Sequence, residues 1–91
     1  MQFEWDPKKA ASNLAKHGVS FDEARTVFGD PFATTVRDRE HSANEERLPT
    51  TGLSVQHRTL VVWHTEQDDT VRIIGAREAV PRERRTYGSG E

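Results

Sequence analysis

The sequence predicts an α+β fold: two N-terminal helices, a four-stranded antiparallel sheet and a short C-terminal helix. Three observations lead there. Apolar residues recur at helical spacing up to Phe28, and from Phe32 onward they fall into short runs rich in β-branched residues. Pro81 then opens a last polar segment suited to the first turn of a helix. The 91 residues are expected to form a single domain over 1–91, with Gly88-Ser89-Gly90-Glu91 as a loose tail.

The elements follow in order. Asp6-Pro7 is an N-cap and first-turn signal, and the run Lys8 to Lys16 stops at His17-Gly18, where glycine supplies a left-handed cap. Ser20-Phe21-Asp22-Glu23 has the capping-box form and starts a second helix, expected to reach about Phe28. Gly29-Asp30-Pro31 breaks the pattern, and Phe32 to Val36 reads as a strand. Arg37 to Glu46 is a long polar connection. Arg47 to Ser54 is a weaker strand, because Pro49 cannot donate to a ladder and Gly52 adds no side chain to pack. Arg58 to Glu66 and Val71 to Glu78 are the strongest strands, joined tightly through Gln67-Asp68-Asp69-Thr70 as a hairpin. With a two-residue turn, Trp63 and Thr65 share a face with Arg72 and Ile74, while Leu60, Val62 and His64 share the other with Val71, Ile73 and Arg77. Both faces carry apolar residues, so which one meets the helices stays open.

Composition excludes several classes. No apolar run approaches the roughly 18 residues of a membrane span, so no membrane partner is expected. The start, Met1-Gln2-Phe3-Glu4-Trp5-Asp6, is acidic and lacks the form of a secretory leader, and a cytoplasmic location is the expectation. Without cysteine there is neither a disulfide framework nor a thiolate metal site. No histidine or carboxylate spacing calls for a metal, and no phosphate-binding glycine loop, nucleophile elbow or dinucleotide fingerprint is present, so no cofactor is expected. With a net charge of −2 and a pI near 6.1, nucleic-acid binding would have to come from a local patch. One exists. From Thr70 to Tyr87 five arginines face two glutamates, a local charge of +3.

The pieces Phe3-x-Trp5-Asp6, Asn13-x-x-Lys16-His17-Gly18-Val19-Ser20-Phe21-x-Glu23-Ala24, Phe28-x-Asp30-Pro31, Glu45-Glu46-Arg47, Arg72-Ile73-Ile74-x-Ala76-Arg77 and Glu83-Arg84-Arg85-x-Tyr87 together resemble the BrnT toxin family. The resemblance runs through essentially the whole chain, in order and at matching spacing. It implies a RelE-like ribonuclease toxin of a type II toxin–antitoxin pair that inhibits translation by cutting RNA, on or off the ribosome. It also implies a BrnA-like antitoxin as protein partner, with operator DNA reached only through that antitoxin. Gly75, where the family commonly has serine, and Pro49, inside a strand, depart from the pattern.

The residues suggest the chemistry on their own account. Metal-free cleavage through a ribose 2′-hydroxyl needs a base, a cation at phosphorus and an acid for the leaving oxygen. Arg77, at the end of a strand, is the candidate phosphate cation; a salt bridge to Glu83 is the competing reading. Tyr87 would stack on a base or exchange a proton, or else seal the core edge. His64 is the candidate proton shuttle, against a satisfied sheet histidine. Glu45 and Glu46 are conceivable bases. Arg47, Arg58, Arg72, Arg84 and Arg85 are candidate RNA contacts, with Trp63 as a stacking surface. The alternative function is a non-catalytic module that binds protein or RNA through the same arginines.

Overall fold

A computed structural model of the chain describes residues 1–37 and 47–87. The order is β1 (Gln2–Glu4), α1 (Pro7–His17), α2 (Phe21–Thr26) continued by a 3₁₀ turn (Val27–Gly29), β2 (Thr34–Thr35), β3 (Leu48–Leu53), β4 (Thr59–Gln67), β5 (Thr70–Glu78) and α3 (Pro81–Thr86). The α+β class and the three helices stand. The sheet differs from expectation: among the described residues it has five strands in the order β1-β5-β4-β3-β2 and is mixed, because β1 runs parallel to β5. Three residues with acidic flanks carry no local strand signal; β1 forms because Phe3 pairs with Val71 and lays its ring against Phe28 at 5.4 Å. The expected strand Phe32 to Val36 shrinks to two residues, and Phe32 itself is exposed.

The helix signals act locally, with one exception. Asp6 accepts the Lys8 N–H at 2.8 Å, Gly18 adopts φ 70° at the end of α1, and the Ser20 hydroxyl accepts the Glu23 N–H at 3.0 Å. Glu23 does not complete the capping box. Its buried carboxylate instead accepts from the Ser54 hydroxyl at 2.6 Å and from Arg58, so a helix-start residue becomes a tie between α2 and the β3–β4 turn.

α1 and α2 cover one face of the sheet. Val19, Phe21, Ala24 and Val27 meet Leu60, Val62, Val71, Ile73 and Ala76 there, and this apolar contact is the core. α3 returns across the opposite face. Pro49 fits inside β3 because its carbonyl accepts from Val36 N–H at 3.1 Å: the side of the residue that lacks a donor faces β2, and the β3–β4 ladder loses nothing. Gly52 lies against the 3₁₀ turn, where a Cβ would come within 2.8 Å of the Val27 side chain and 2.9 Å of Ala33.

The β4–β5 hairpin turns through Asp68-Asp69, as expected, with Gln67 paired to Thr70. Its register then shifts: Trp63 pairs with Gly75 but His64 pairs with Ile73, leaving Ile74 as an extra residue in a β-bulge. The expected faces therefore hold only before the bulge. Beyond it the alternation inverts, and Arg77 lies on the Trp63 face rather than with His64. Asn13 of α1 holds this irregular edge. Its side chain accepts from the Ala76 N–H at 3.1 Å and donates to the Ala76 and Val19 carbonyls, each at 2.9 Å.

Three stability outcomes follow. Gly52→Ala should cost about 1–3 kcal/mol in denaturant unfolding, because the added methyl overlaps two packed neighbours. Gly75→Ser should be neutral or stabilising, since its nearest atom would be 3.8 Å away. The third outcome concerns acid. The hydrogen bond from Arg58 holds the Glu23 carboxyl below its ordinary 4.5, against the opposing effect of burial. A depressed folded value means its stabilisation is full above the ordinary value and lost as pH falls through the folded one. Glu23→Gln should therefore cost about 2–3 kcal/mol at neutral pH and flatten the fall in melting temperature below pH 4.5.

Candidate active site

The bulge sets the site. With Arg77 turned to the open face, its guanidinium lies over the Trp63 ring at 5.1 Å from the centroid. Its two terminal nitrogens donate to the two carboxylate oxygens of Glu83 in α3, at 2.8 and 3.0 Å, and one of them also reaches the Glu78 carbonyl at 3.1 Å. Glu83 is in turn fixed by the Val80 N–H, which donates to Oε1 at 2.9 Å. The Arg77 hydrogen bond is the main reason the Glu83 carboxyl is held low, with burial opposing it, and the same bond raises Arg77.

Beside this pair runs a groove of about 440 Å³. Pro49, Thr51, Val61 and Trp63 line it from the sheet, Thr34 and Val36 from β2 and the residue following it, and Arg82, Glu83, Thr86 and Tyr87 from the C-terminal segment. In so short a helix, positions 82, 83, 86 and 87 share one side, which leaves Arg84 and Arg85 out of the lining. Arg84 donates to the Ala79 carbonyl at 2.8 Å, and Arg85 is exposed. Arg82, which the sequence did not single out, takes their place at the rim.

Tyr87 closes one end, donating its hydroxyl to Asp30. Asp30 also accepts the Leu53 N–H at 2.8 Å and the Phe32 N–H at 3.0 Å. One carboxylate thus ties the α2–β2 corner to β3 and to the end of α3. Burial would raise the Asp30 carboxyl, but these three hydrogen bonds outweigh it and hold it low. The Tyr87 phenol is raised, first by burial, then by its bond to Asp30 and by that residue's charge.

The other sequence candidates lie elsewhere. His64 is fully buried on the helix-covered face, bonded through Nε2 to the Thr50 hydroxyl at 2.7 Å and edge-on to Phe28 at 4.9 Å. Burial lowers its pKa, so the structure holds it neutral in the core and apart from Arg77 and Tyr87. Arg58 is committed to the fold, bonded to Glu23, to the Gly18 carbonyl at 3.1 Å and to Glu78 at 3.4 Å. Arg72 is exposed on the open face, paired with Glu4 at 3.0 Å and away from the groove. Arg47 is exposed just before β3. Glu45 and Glu46 lie outside the described residues.

The site thus brings together Arg77, Trp63 and Tyr87 and adds Arg82, Glu83 and Asp30. Sequence reasoning reached Glu83 only as an ion-pair partner and Asp30 only as a turn residue, because their roles depend on contacts 6 and 57 residues away along the chain. Among the described residues no three histidine or carboxylate side chains gather as metal ligands, and no helix is long and apolar enough to cross a membrane. Tyr87 is the only tyrosine, so its ionisation can be read directly from ultraviolet absorbance. It should titrate above 10.0 in the wild type, and Asp30→Asn should bring it part of the way back, burial being the larger cause.

The fold has a known counterpart. The crystal structure of the Brucella abortus ribonuclease toxin, BrnT, superposes with a TM-score of 0.68 at 22% identity, covering 88% of this chain and 97% of that one, a likeness of fold. No curated protein sequence matches the chain. The family model described as the ribonuclease toxin BrnT of type II toxin–antitoxin systems matches residues 5–83, which take in the bulge, Arg77 and Glu83. By that match over most of its length, the chain belongs to the BrnT family of ribonuclease toxins.

Proposed function

We propose that this chain is itself an RNA-cleaving toxin that works without a metal ion, at the groove between the open sheet face and α3. The observation that carries the reading is the placement of Arg77. A permanently charged, planar fork stands on a rigid strand, stacked on Trp63 and bonded to Glu83, two residues that line a groove of about 440 Å³. A guanidinium so placed supplies the charge stabilisation at phosphorus that a metal provides elsewhere. Trp63 and the ring of Tyr87 offer faces for bases, while Arg82, Arg85 and, farther along the same surface, Arg72 hold the strand by its phosphates. Tyr87 acts as a wall in this scheme, since its hydroxyl proton is committed to Asp30.

Membership of a type II family implies an antitoxin protein as partner. We take that partner to be BrnA-like, to reach operator DNA on the toxin's behalf, and to meet a toxin acting in the cytoplasm to block translation. A non-catalytic binding module is the second reading, and one observation favours it: both donors of the Arg77 fork are already filled by Glu83.

Cleavage of a defined RNA in EDTA by wild type and by Arg77→Ala separates the two. The catalytic reading expects cut products from wild type and a loss of about 100-fold or more in a mutant that keeps its circular dichroism. Binding without cleavage, on free RNA and on translating ribosomes alike, would establish the module.

A further inference from the structure

We propose that Glu83 is the general base of this site, taking the proton of the ribose 2′-hydroxyl while Arg77 holds the phosphate. The inference rests on the reading of the chain as an RNA-cleaving enzyme and names a residue for its least defined step.

Four observations carry it. Glu83 is the only carboxylate among the described residues that line the groove. The other carboxylate nearby, Asp30, has both oxygens occupied by the fold, Oδ1 by Phe32 and Oδ2 by Leu53 and Tyr87. His64, the natural alternative, is fully buried on the opposite face. Finally, the two oxygens of Glu83 are held differently. Both accept from Arg77, Oε1 at 2.8 Å and Oε2 at 3.0 Å, but Oε1 alone has a second donor, the Val80 N–H at 2.9 Å.

That asymmetry gives the pair a sequence of events. A phosphate entering the groove competes for the Arg77 fork, which binds phosphate and carboxylate in the same bidentate geometry. As the guanidinium turns to the phosphate, Oε1 stays anchored to Val80 and Oε2 is released within a hydrogen bond's reach of the new occupant. The loss of the Arg77 hydrogen bond removes the main cause of the lowered Glu83 pKa, so the carboxylate gains basicity when substrate arrives. The step then balances. The 2′-O–H proton passes to Oε2, the oxygen's electron pair forms the bond to phosphorus, and the P–O5′ bond breaks. The 5′-oxygen leaves with a proton from water, and the hydroxide so formed takes back the proton on Glu83. The products are a 2′,3′-cyclic phosphate and a 5′-hydroxyl end.

Single-turnover cleavage by wild type, Glu83→Gln and Glu83→Asp tests this, alongside binding of an RNA carrying a 2′-deoxy residue at the cut site. The expected result is a chemical step about 10²–10⁴-fold slower in Glu83→Gln, with partial recovery in Glu83→Asp and with binding of the deoxy analogue within about 3-fold of wild type. A Glu83→Gln enzyme as fast as wild type, or faster, would make Glu83 a cover over Arg77 and overturn the proposal. So would a parallel loss of binding, which would make it a support for Arg77. The wild-type pH–rate profile gives a second measurement that needs no variant: a single acid limb in the range of a carboxylate supports the assignment, and a limb centred near the ordinary histidine value of about 6.5 overturns it. A folded wild type that cuts neither free nor ribosome-bound RNA would instead defeat the ribonuclease reading itself, a result distinct from all of these.

Discussion

The side-chain amide of Asn13 stands where a neighbouring strand would otherwise be. β1 covers only the first three residues of β5, and beyond Arg72 the outer edge of β5 would present unpaired backbone groups. Asn13 supplies both an acceptor and a donor to Ala76, just past the extra residue Ile74, and its second donor contact reaches the chain leaving α1 at Val19. One amide thereby joins α1, the α1–α2 connection and the irregular part of β5. Because alternation along a strand has a period of two, one inserted residue exchanges the faces of everything that follows. Ala76 then packs into the core, and Arg77 turns outward onto Trp63. Without the bulge the same arginine would point into the layer between sheet and helices, where an unpaired guanidinium is strongly disfavoured.

The arginines of this chain are alike in sequence and unlike in role, and the difference lies in their acceptors. Arg58 meets a carboxylate that is 3% exposed and a helix-terminal carbonyl, an arrangement that fixes the α2 start to the β3–β4 turn and leaves the guanidinium no freedom to bind a ligand. Arg72 and Glu4 are about half exposed, so their pairing contributes little and is screened by salt. Arg77 lies between these extremes. It is partly buried, stacked, and paired to a carboxylate on a short helix, which keeps the fork oriented while leaving it open to exchange with another anion of the same shape.

Asp30 plays the corresponding part at the other end of the groove. A partly buried carboxylate is costly unless its lone pairs are used, and here two backbone N–H groups and a phenol use them. The groove is therefore bounded at one end by the Arg77–Glu83 pair and at the other by the Tyr87–Asp30 bond, with a six-residue helix spanning the two. Since so short a helix has little stability alone, its position over the sheet depends on these polar ties rather than on a large apolar contact.

The sequence by itself determined whatever rests on neighbours a few residues apart. Asp6, Gly18 and Ser20 bound the helices because caps act over one turn, and the long apolar alternations of β4 and β5 marked the central hairpin. The arginine-rich end, with Arg77 and Tyr87 in it, also marked the region of the candidate site. What only the tertiary structure decided involves partners far apart in the chain. β1 exists because β5 offers an edge. Arg77 faces Trp63 because Asn13 holds a bulge that no local pattern announces. Glu83 and Asp30 came to the groove, and His64 and Arg58 became parts of the framework, through contacts that short-range periodicity does not encode. A residue type carries its chemistry into any fold; its solvent exposure and its partner, which decide whether that chemistry is available, are properties of the packed chain alone.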